Sequence, residues 1–329
     1  MPVLEPDRRR ALLLDAVNAK RQQLAAELNR PAPRPRGLAS ESETGGLAPG
    51  SRSPVASLLE RCANPGCHTG WIKLWRSRSG PIFEGGWSCS ADCTAHLVAA
   101  ALGREMDGRG SSAEQHQHRI PLGLLMMQKG WINQNQLRAA VEAQKNAGAG
   151  RIGHWLLHQN AITEQMIARA LALQWGCPVI GMEYHDADGL TVTVPRLFVD
   201  AFGALPLRIA AGRILYLGFE DRLDPSLALA IERMSGLRVE SGIVLESEFR
   251  PAHTRLLGAR FPSVELLEAA SEPVLVAAIV KRLERVRPVE SRLVRVHDCL
   301  WLRMWRRRSQ SMVPEMDAVE DLICSVRPS

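Results

Sequence analysis

The chain has 329 residues, 46% of them hydrophobic, and a net charge of +6, and this length suits two or three small domains. No stretch is apolar for long enough to cross a bilayer, and the first residues lack the hydrophobic core of a secretory signal. The seven cysteines, an odd number without such a signal, argue against a disulfide framework, so we expect a cytoplasmic bacterial protein.

Two segments precede the first cysteine. Residues 1–30 carry leucines and valine at helical spacing among charges, which predicts an amphipathic helix that docks on the rest of the chain or on a partner. Residues 31–54 are rich in proline, glycine, serine and glutamate. Such a composition cannot bury enough apolar surface to fold, so we expect a flexible linker.

Residues 55–106 contain two close pairs of cysteines, Cys62 with Cys67 and Cys89 with Cys93. Soft thiolates in such pairs are typical of a tetrahedral Zn²⁺ site, and four protein ligands leave no coordination position for a substrate water. We therefore predict a structural zinc module, in which the ion contributes folding energy to a segment too small for its own core. The alternative is a group of buried or reactive thiols without metal. A polar linker, residues 107–118, follows.

The segment at residues 119–180 contains one pattern twice, because Pro121–Gln144 aligns with Arg151–Gln174 after a shift of thirty residues. Each copy has two apolar runs at helical spacing, separated by a turn and by Asn133 or Thr163, residue types that begin helices. Each copy therefore predicts helix, turn, helix. The recurring pairs include Leu122 with Ile152, Gly123 with Gly153, Ile132 with Ile162, Ala140 with Ala170 and Gln144 with Gln174.

The second copy reads Arg151-Ile152-Gly153-x-x-Leu156-Leu157-x-x-Asn160-x-Ile162, followed by Ile167, Leu171 and Gln174. This pattern resembles the tandem motif of the MshEN-type N-terminal domain, which precedes the motor in ATPases of type II secretion and type IV pilus assembly. The resemblance extends over residues 119–258. It implies an adaptor or regulatory protein whose partner belongs to secretion or pilus machinery.

Tandem copies of that motif can bind cyclic di-GMP, and the resemblance implies that the nucleotide contacts the head of each copy. The implied nucleotide-binding residues are Leu122, Gly123, Gly130, Gln144, Arg151, Ile152, Gly153 and Gln174. A glycine at a helix start lets backbone amides approach a phosphate, and an arginine adds bidentate hydrogen bonds. Pro121 stands where the motif has its first arginine and Asn160 where it has the turn glycine, and Arg119 is the nearest arginine to Pro121.

A purely structural explanation of the repeated positions is the alternative. Glycines and small residues such as Ala140 and Ala170 allow helices to pack closely, and Gln144 and Gln174 suit helix ends. In that case the repeats build a scaffold without a nucleotide.

Alternating strands and helices at residues 181–260 predict a small open sheet covered by helices. An acidic cluster, Glu220, Asp221 and Asp224, follows a predicted strand. Since no histidine or cysteine is near it in the sequence, we expect a solvated loop and no catalytic centre.

Residues 261–329 lie outside the resemblance and predict a helix at Val274–Val286 and strands within Glu290–Trp305. Four arginines beside Trp301 and Trp305 indicate either a solvated rim or a nucleic-acid surface. They are Arg303, Arg306, Arg307 and Arg308. The alternative function is therefore a zinc-containing nucleic-acid-binding protein.

The sequence contains no recognisable catalytic constellation. None of its five lysines follows a glycine, which excludes a Walker phosphate loop, and no nucleophile elbow or zincin helix occurs. We expect a non-enzymatic α+β protein in which a small zinc-binding module precedes a helical tandem-repeat subdomain and a small α/β sheet subdomain.

Overall fold

The computed structural model describes residues 62–68, 80–107, 119–182, 189–308 and 313–326. The helix and linker predicted at residues 1–54, and the linker at 108–118, lie outside the described residues. All of the described residues belong to one unit, Arg61–Ser329. None of the described helices is long and apolar enough to cross a membrane.

The described residues form nine α-helices and nine β-strands, which confirms the α+β class. The helices are α1 (Ala91–Asp107), α2 (Leu122–Gln128), α3 (Gln134–Ala147), α4 (Ile152–His158), α5 (Glu164–Trp175), α6 (Arg196–Phe202), α7 (Pro225–Ser235), α8 (Glu246–Gly258) and α9 (Glu272–Val286). The strands are β1 (Ile82–Phe83), β2 (Gly86–Trp87), β3 (Ala204–Ala210), β4 (Ile214–Phe219), β5 (Arg238–Ile243), β6 (Ser263–Ala269), β7 (Glu290–Val296), β8 (Cys299–Trp305) and β9 (Val319–Val326).

The two copies of the repeat fold alike, α2 and α3 in the first and α4 and α5 in the second. Each turn contains a residue in the left-handed region, Gly130 with φ 70° and Asn160 with φ 52°. Asparagine tolerates this conformation better than most residues, so the second turn keeps its shape without glycine. Asn133 and Thr163 each accept a hydrogen bond from the first turn of the following helix, which confirms the predicted helix starts.

A three-stranded sheet follows the repeats. Its order is β3-β4-β5, with β3 antiparallel and β5 parallel to the central strand β4. The large buried side chains Phe198, Phe219 and Leu227 belong to the core between this sheet and its helices. The predicted small sheet covered by helices is therefore present.

A second, four-stranded sheet has the order β6-β9-β8-β7. The β6–β9 pair is parallel, and the other two pairs are antiparallel. The sequence predicted α9 and strands within Glu290–Trp305, where β7 and β8 lie, but neither β6 nor β9. The last strand inserts between the first strand and the hairpin, and such long-range pairing leaves no local signal in the sequence.

The cysteine segment packs on this second sheet. Strand β1 lies beside β7, because Glu84 N donates to Ser291 O at 2.7 Å and Ile82 N donates to Pro288 O at 3.1 Å. Helix α1 buries its apolar face against α9 in one shared core. The residues of that core include Val98, Ala101 and Leu102 from α1 and Leu275, Ile279 and Leu283 from α9. The segment therefore obtains its core from a part of the chain that begins more than 150 residues later.

Candidate functional site

Two glutamines each join the end of one repeat copy to the backbone just before the other copy. Gln144 Nε2, near the end of the first copy, donates to Gly150 O at 2.7 Å, immediately before the second copy begins. Gln174 Nε2, near the end of the second copy, donates to Ile120 O at 2.7 Å, just before the first copy. Equivalent residues therefore make equivalent bonds, which explains the recurrence of glutamine without a ligand.

The heads of the two copies meet between α2 and α4. A methyl group on Gly153 would lie 3.7 Å from Leu122 Cδ2 and 3.5 Å from Ile167 Cγ2, which are ordinary contacts. A methyl group on Gly123 would lie only 2.5 Å from Leu137 Cδ1. Both glycines are buried, so close packing explains Gly123, whereas the space around Gly153 admits a small side chain.

Arg151, the arginine of the second head, lies at the surface with its side chain 57% exposed. Its Nη1 lies 2.9 Å from Asp221 Oδ2 and 3.6 Å from Glu220 Oε1. Two carboxylates of the α/β part therefore neutralise this guanidinium. Exposed ion pairs of this kind contribute only about 0–1 kcal/mol, so an anionic ligand can compete for Arg151.

Arg119 does not take the position that Pro121 leaves without an arginine. Its guanidinium lies on the indole of Trp175, with Cζ 3.2 Å from the ring centroid. Pro121 itself precedes α2 in an extended conformation and makes no side-chain cap. The first head therefore has an arginine nearby, held by a cation–π contact.

The acidic cluster differs from the predicted solvated loop. Asp224 Oδ2 lies 2.7 Å from His297 Nε2, although 73 residues separate the two in the sequence. Asp224 is also the N-cap of α7, because its Oδ1 accepts a hydrogen bond from Leu227 N at 2.9 Å. Burial alone would raise the pKa of Asp224, but the hydrogen bonds from His297 and Leu227 N and the charges of His297 and Arg222 together outweigh burial and lower it. The expectation of a solvated loop is therefore wrong for Asp224, whose histidine partner comes from the turn after β7.

The four cysteine sulfur atoms converge. All four Sγ atoms of Cys62, Cys67, Cys89 and Cys93 lie within 4.8 Å of one another. Cys89 Sγ lies 3.5 Å from Cys67 Sγ and 3.6 Å from Cys93 Sγ. A tetrahedral ion with Zn–S bonds of about 2.3 Å requires sulfur separations of about 3.8 Å. The donor set and its spacing therefore fit such an ion.

The surroundings of the thiols also suit a metal site. Asn64 Nδ2 donates to Cys93 Sγ at 3.4 Å, the kind of outer contact that orients a metal-binding thiolate. Burial raises the pKa of the Cys62 thiol to about 12, so its thiolate needs a nearby cation at neutral pH. Cys93 lies in the first turn of α1, which carries the site into the shared core.

The C-terminal arginines do not form the predicted solvated rim throughout. Arg303 is 2% exposed and forms a bidentate pair with Asp321, with both distances 2.7 Å. Trp301 Nε1 donates to the same carboxylate at 2.8 Å. Arg306 pairs with Glu320. Two of the four arginines are thus committed to carboxylates, which removes much of the charge on which a nucleic-acid surface would depend.

No protein-family model matches the sequence. Two curated relatives are 31% identical over 133 residues, namely Bacteriophage adsorption protein B of Escherichia coli strain K12 and Bacteriophage N4 adsorption protein B of E. coli O157:H7. The match covers 39% of this chain and only 17% of either relative, so it spans a small part of their length.

The chain is also similar to two solved structures. The structure of MshE with cdg is 26% identical, covers 42% of this chain and 99% of that one, and has a TM-score of 0.35. The N-terminal domain of XpsE is 18% identical, covers 41% of this chain and 92% of that one, and has a TM-score of 0.28.

Three features of the site came only from the structure. They are the Arg119–Trp175 stack, the Asp224–His297 bond and the contacts of Arg151 with the α/β part. The indole of Trp175 also donates through Nε1 to Asp221 O at 3.1 Å. An arginine two residues before the repeat and a tryptophan directly after Gln174 were the only signals in the sequence.

Proposed function

We propose that this protein is a non-enzymatic adaptor that binds cyclic di-GMP where the two repeat heads meet. It would transmit the presence of the nucleotide to a protein of secretion or pilus machinery. The observation that carries the proposal is the exposed Arg151 at the second head, where Gly153 lies beside Leu122 of the first head. Two bonds, from Gln144 to Gly150 and from Gln174 to Ile120, hold the heads. These bonds give the two heads equivalent backbone positions on one surface.

A ligand with two equivalent halves suits such a site. Cyclic di-GMP has two guanosines and two phosphates, and each half can face one head. Arg151 is exposed enough to reach a phosphate or a guanine edge, and its contact with Asp221 is a surface ion pair. Leu122 and Ile152, both half-buried at the heads, supply apolar surface for a base.

The curated relatives support a portable binding module. In each of them the matched region is 133 residues within a much longer protein, 17% of its length. A segment found in a larger chain and here with a cysteine module suits an adaptor, whose binding surface serves different assemblies.

We also propose that the four cysteines hold a structural Zn²⁺. Their sulfur atoms fit a tetrahedral ion, and four protein ligands leave no position for chemistry. The ion would anchor the start of α1, and so the shared core with α9, to the chain that precedes β1.

Calorimetry on the full chain tests the nucleotide proposal. We expect cyclic di-GMP to bind with one nucleotide per chain, and Arg151→Ala to weaken binding about tenfold, the loss of one charge-assisted contact. Arg138→Ala is the matched control, because Arg138 is an exposed arginine on α3 of the same repeat. GMP, which offers only one half of the ligand, should bind far more weakly. No heat with cyclic di-GMP from folded protein would refute the proposal.

A further inference from the structure

Arg119 carries an unused hydrogen-bond donor. Its guanidinium stacks on Trp175 with Cζ 3.2 Å from the ring centroid, and its Nε is buried without a hydrogen-bond partner among the described residues. Stacking occupies the face of the guanidinium, whereas the N–H groups lie in its plane and take no part in the stack. A buried donor that lacks an acceptor is destabilising, so this position favours a ligand that supplies one.

A second arginine lies close to the first. Trp175 Nε1 donates to Asp221 O at 3.1 Å, and this bond holds the backbone of Asp221, the residue before Arg222, at the same indole. Burial, together with the positive charge of Arg222, lowers the pKa of Arg119. The charge of Arg222 also acts on the Asp224 carboxylate, but the two arginines repel each other, and an anion bound by both would remove that repulsion.

The two acids that flank Arg222 in the sequence, Asp221 and Asp224, have other partners. Asp221 Oδ2 lies 2.9 Å from Arg151 Nη1. Asp224 Oδ2 contacts His297 Nε2 at 2.7 Å, and its Oδ1 accepts from the backbone of α7. Neither of these contacts involves Arg119, whose buried Nε has no acceptor in the part of the chain that the structure describes.

We propose that Arg119 and Arg222 form an oxyanion site that takes a phosphate group, with Trp175 fixing the plane of Arg119. A guanidinium matches the geometry of phosphate oxygens, and the negative charge removes the repulsion between the two arginines. Only the identity of the ligand rests on the proposed function. If that ligand is cyclic di-GMP, this site gives the first head the arginine that Pro121 does not provide.

NMR on the full chain tests the site directly. The ¹⁵N-labelled indole N–H of Trp175, assigned with Trp175→Phe, reports titration with inorganic phosphate. We expect the signal to shift in the wild type and in the control Arg138→Gln with the same dissociation constant. Arg119→Gln or Arg222→Gln should raise that constant about tenfold. An unchanged melting temperature shows that each variant is folded.

Calorimetry with cyclic di-GMP on the same variants separates the two proposals. Loss of phosphate binding in Arg119→Gln and Arg222→Gln, without any nucleotide binding by the wild type, supports the oxyanion site and refutes the proposed function. Tight nucleotide binding that both variants retain overturns the oxyanion site and leaves the proposed function intact. A wild-type indole signal that responds to neither phosphate nor nucleotide overturns the site as well.

Discussion

The side-chain amide of Gln174 donates to the carbonyl of Ile120 at 2.7 Å, across 54 residues of sequence. Its counterpart Gln144 makes the same bond to Gly150. Each glutamine thus fixes the chain just before a head helix, and the second bond closes the repeat on itself. These bonds and the apolar cluster between the heads together set the relative placement of the two heads.

Replacing Gln174 should loosen this closure. We expect Gln174→Ala to lower the free energy of unfolding by about 0.5–1.5 kcal/mol, toward the lower end because the bond is exposed to solvent. Urea denaturation measures the loss. The control is Gln165→Ala, an exposed glutamine on the same helix, which should change stability by less than about 0.5 kcal/mol. Equal effects of the two substitutions would contradict a closing role for Gln174.

The two head glycines should respond differently to the same substitution. Gly153→Ala places a methyl group at ordinary contact distance, so the higher helix propensity of alanine should stabilise the protein by about 0.5–1 kcal/mol. Gly123→Ala places its methyl group 2.5 Å from Leu137 Cδ1, and the leucine must move. We expect its midpoint in urea to fall below that of Gly153→Ala. Equal midpoints would show that α2 and α3 separate easily.

Local signals explain why the repeats were predictable. The helices, their starting residues and the left-handed turns at Gly130 and Asn160 each depend on a few neighbouring residues. The convergence of the four cysteines follows in the same way from spacing within a short segment. Both features depend on residues close together in the sequence, where helix propensity, hydrophobic periodicity and residue spacing can be used directly.

Long-range pairing explains what the sequence did not reveal. No residue near Asp224 in the sequence indicates that His297 will contact it, and no residue near Arg303 indicates that Asp321 will pair with it. The insertion of β9 between β6 and β8 creates the second of these contacts. We predicted solvated side chains for Asp224 and Arg303, but distant parts of the chain supply partners that allow both to be buried or partly buried.

Breaking the buried pair of Arg303 and Asp321 should be among the most destabilising single polar substitutions. Asp321→Asn removes the charge that compensates a guanidinium only 2% exposed, and we expect a loss of about 3–5 kcal/mol. Thermal and urea unfolding measure it. The exposed pair of Arg260 and Asp317, 3.6 Å apart, offers the comparison, because Asp317→Asn should cost less than about 1 kcal/mol. A small effect of Asp321→Asn would mean that water reaches this arginine.

The Asp224–His297 contact should make stability depend on pH. The pKa of Asp224 is lower in the folded protein, so its carboxylate stabilises the fold above its ordinary pKa of about 3.9. That contribution is lost as the pH falls through the lower, folded value. Asparagine is an equally good N-cap residue for α7, so Asp224→Asn removes the negative charge and keeps the cap. We expect the wild type to exceed the variant in unfolding free energy at pH 6 and the two to converge below about pH 3. A difference independent of pH would contradict this assignment.

Removal of a metal from the four cysteines should lower the local stability of the four-stranded sheet. The Cys93 end of α1 carries the proposed ion into a core shared with α9, and β1 is bonded to β7. We expect chelation, or Cys89→Ser, to reduce hydrogen-exchange protection in α1 and β7 while leaving α2–α5 unchanged. Cys177→Ser, a cysteine outside the cluster, should keep the zinc content of the wild type. Because binding free energy here is folding free energy, loss of zinc without any change in the exchange of β7 would show that the site and the sheet are independent.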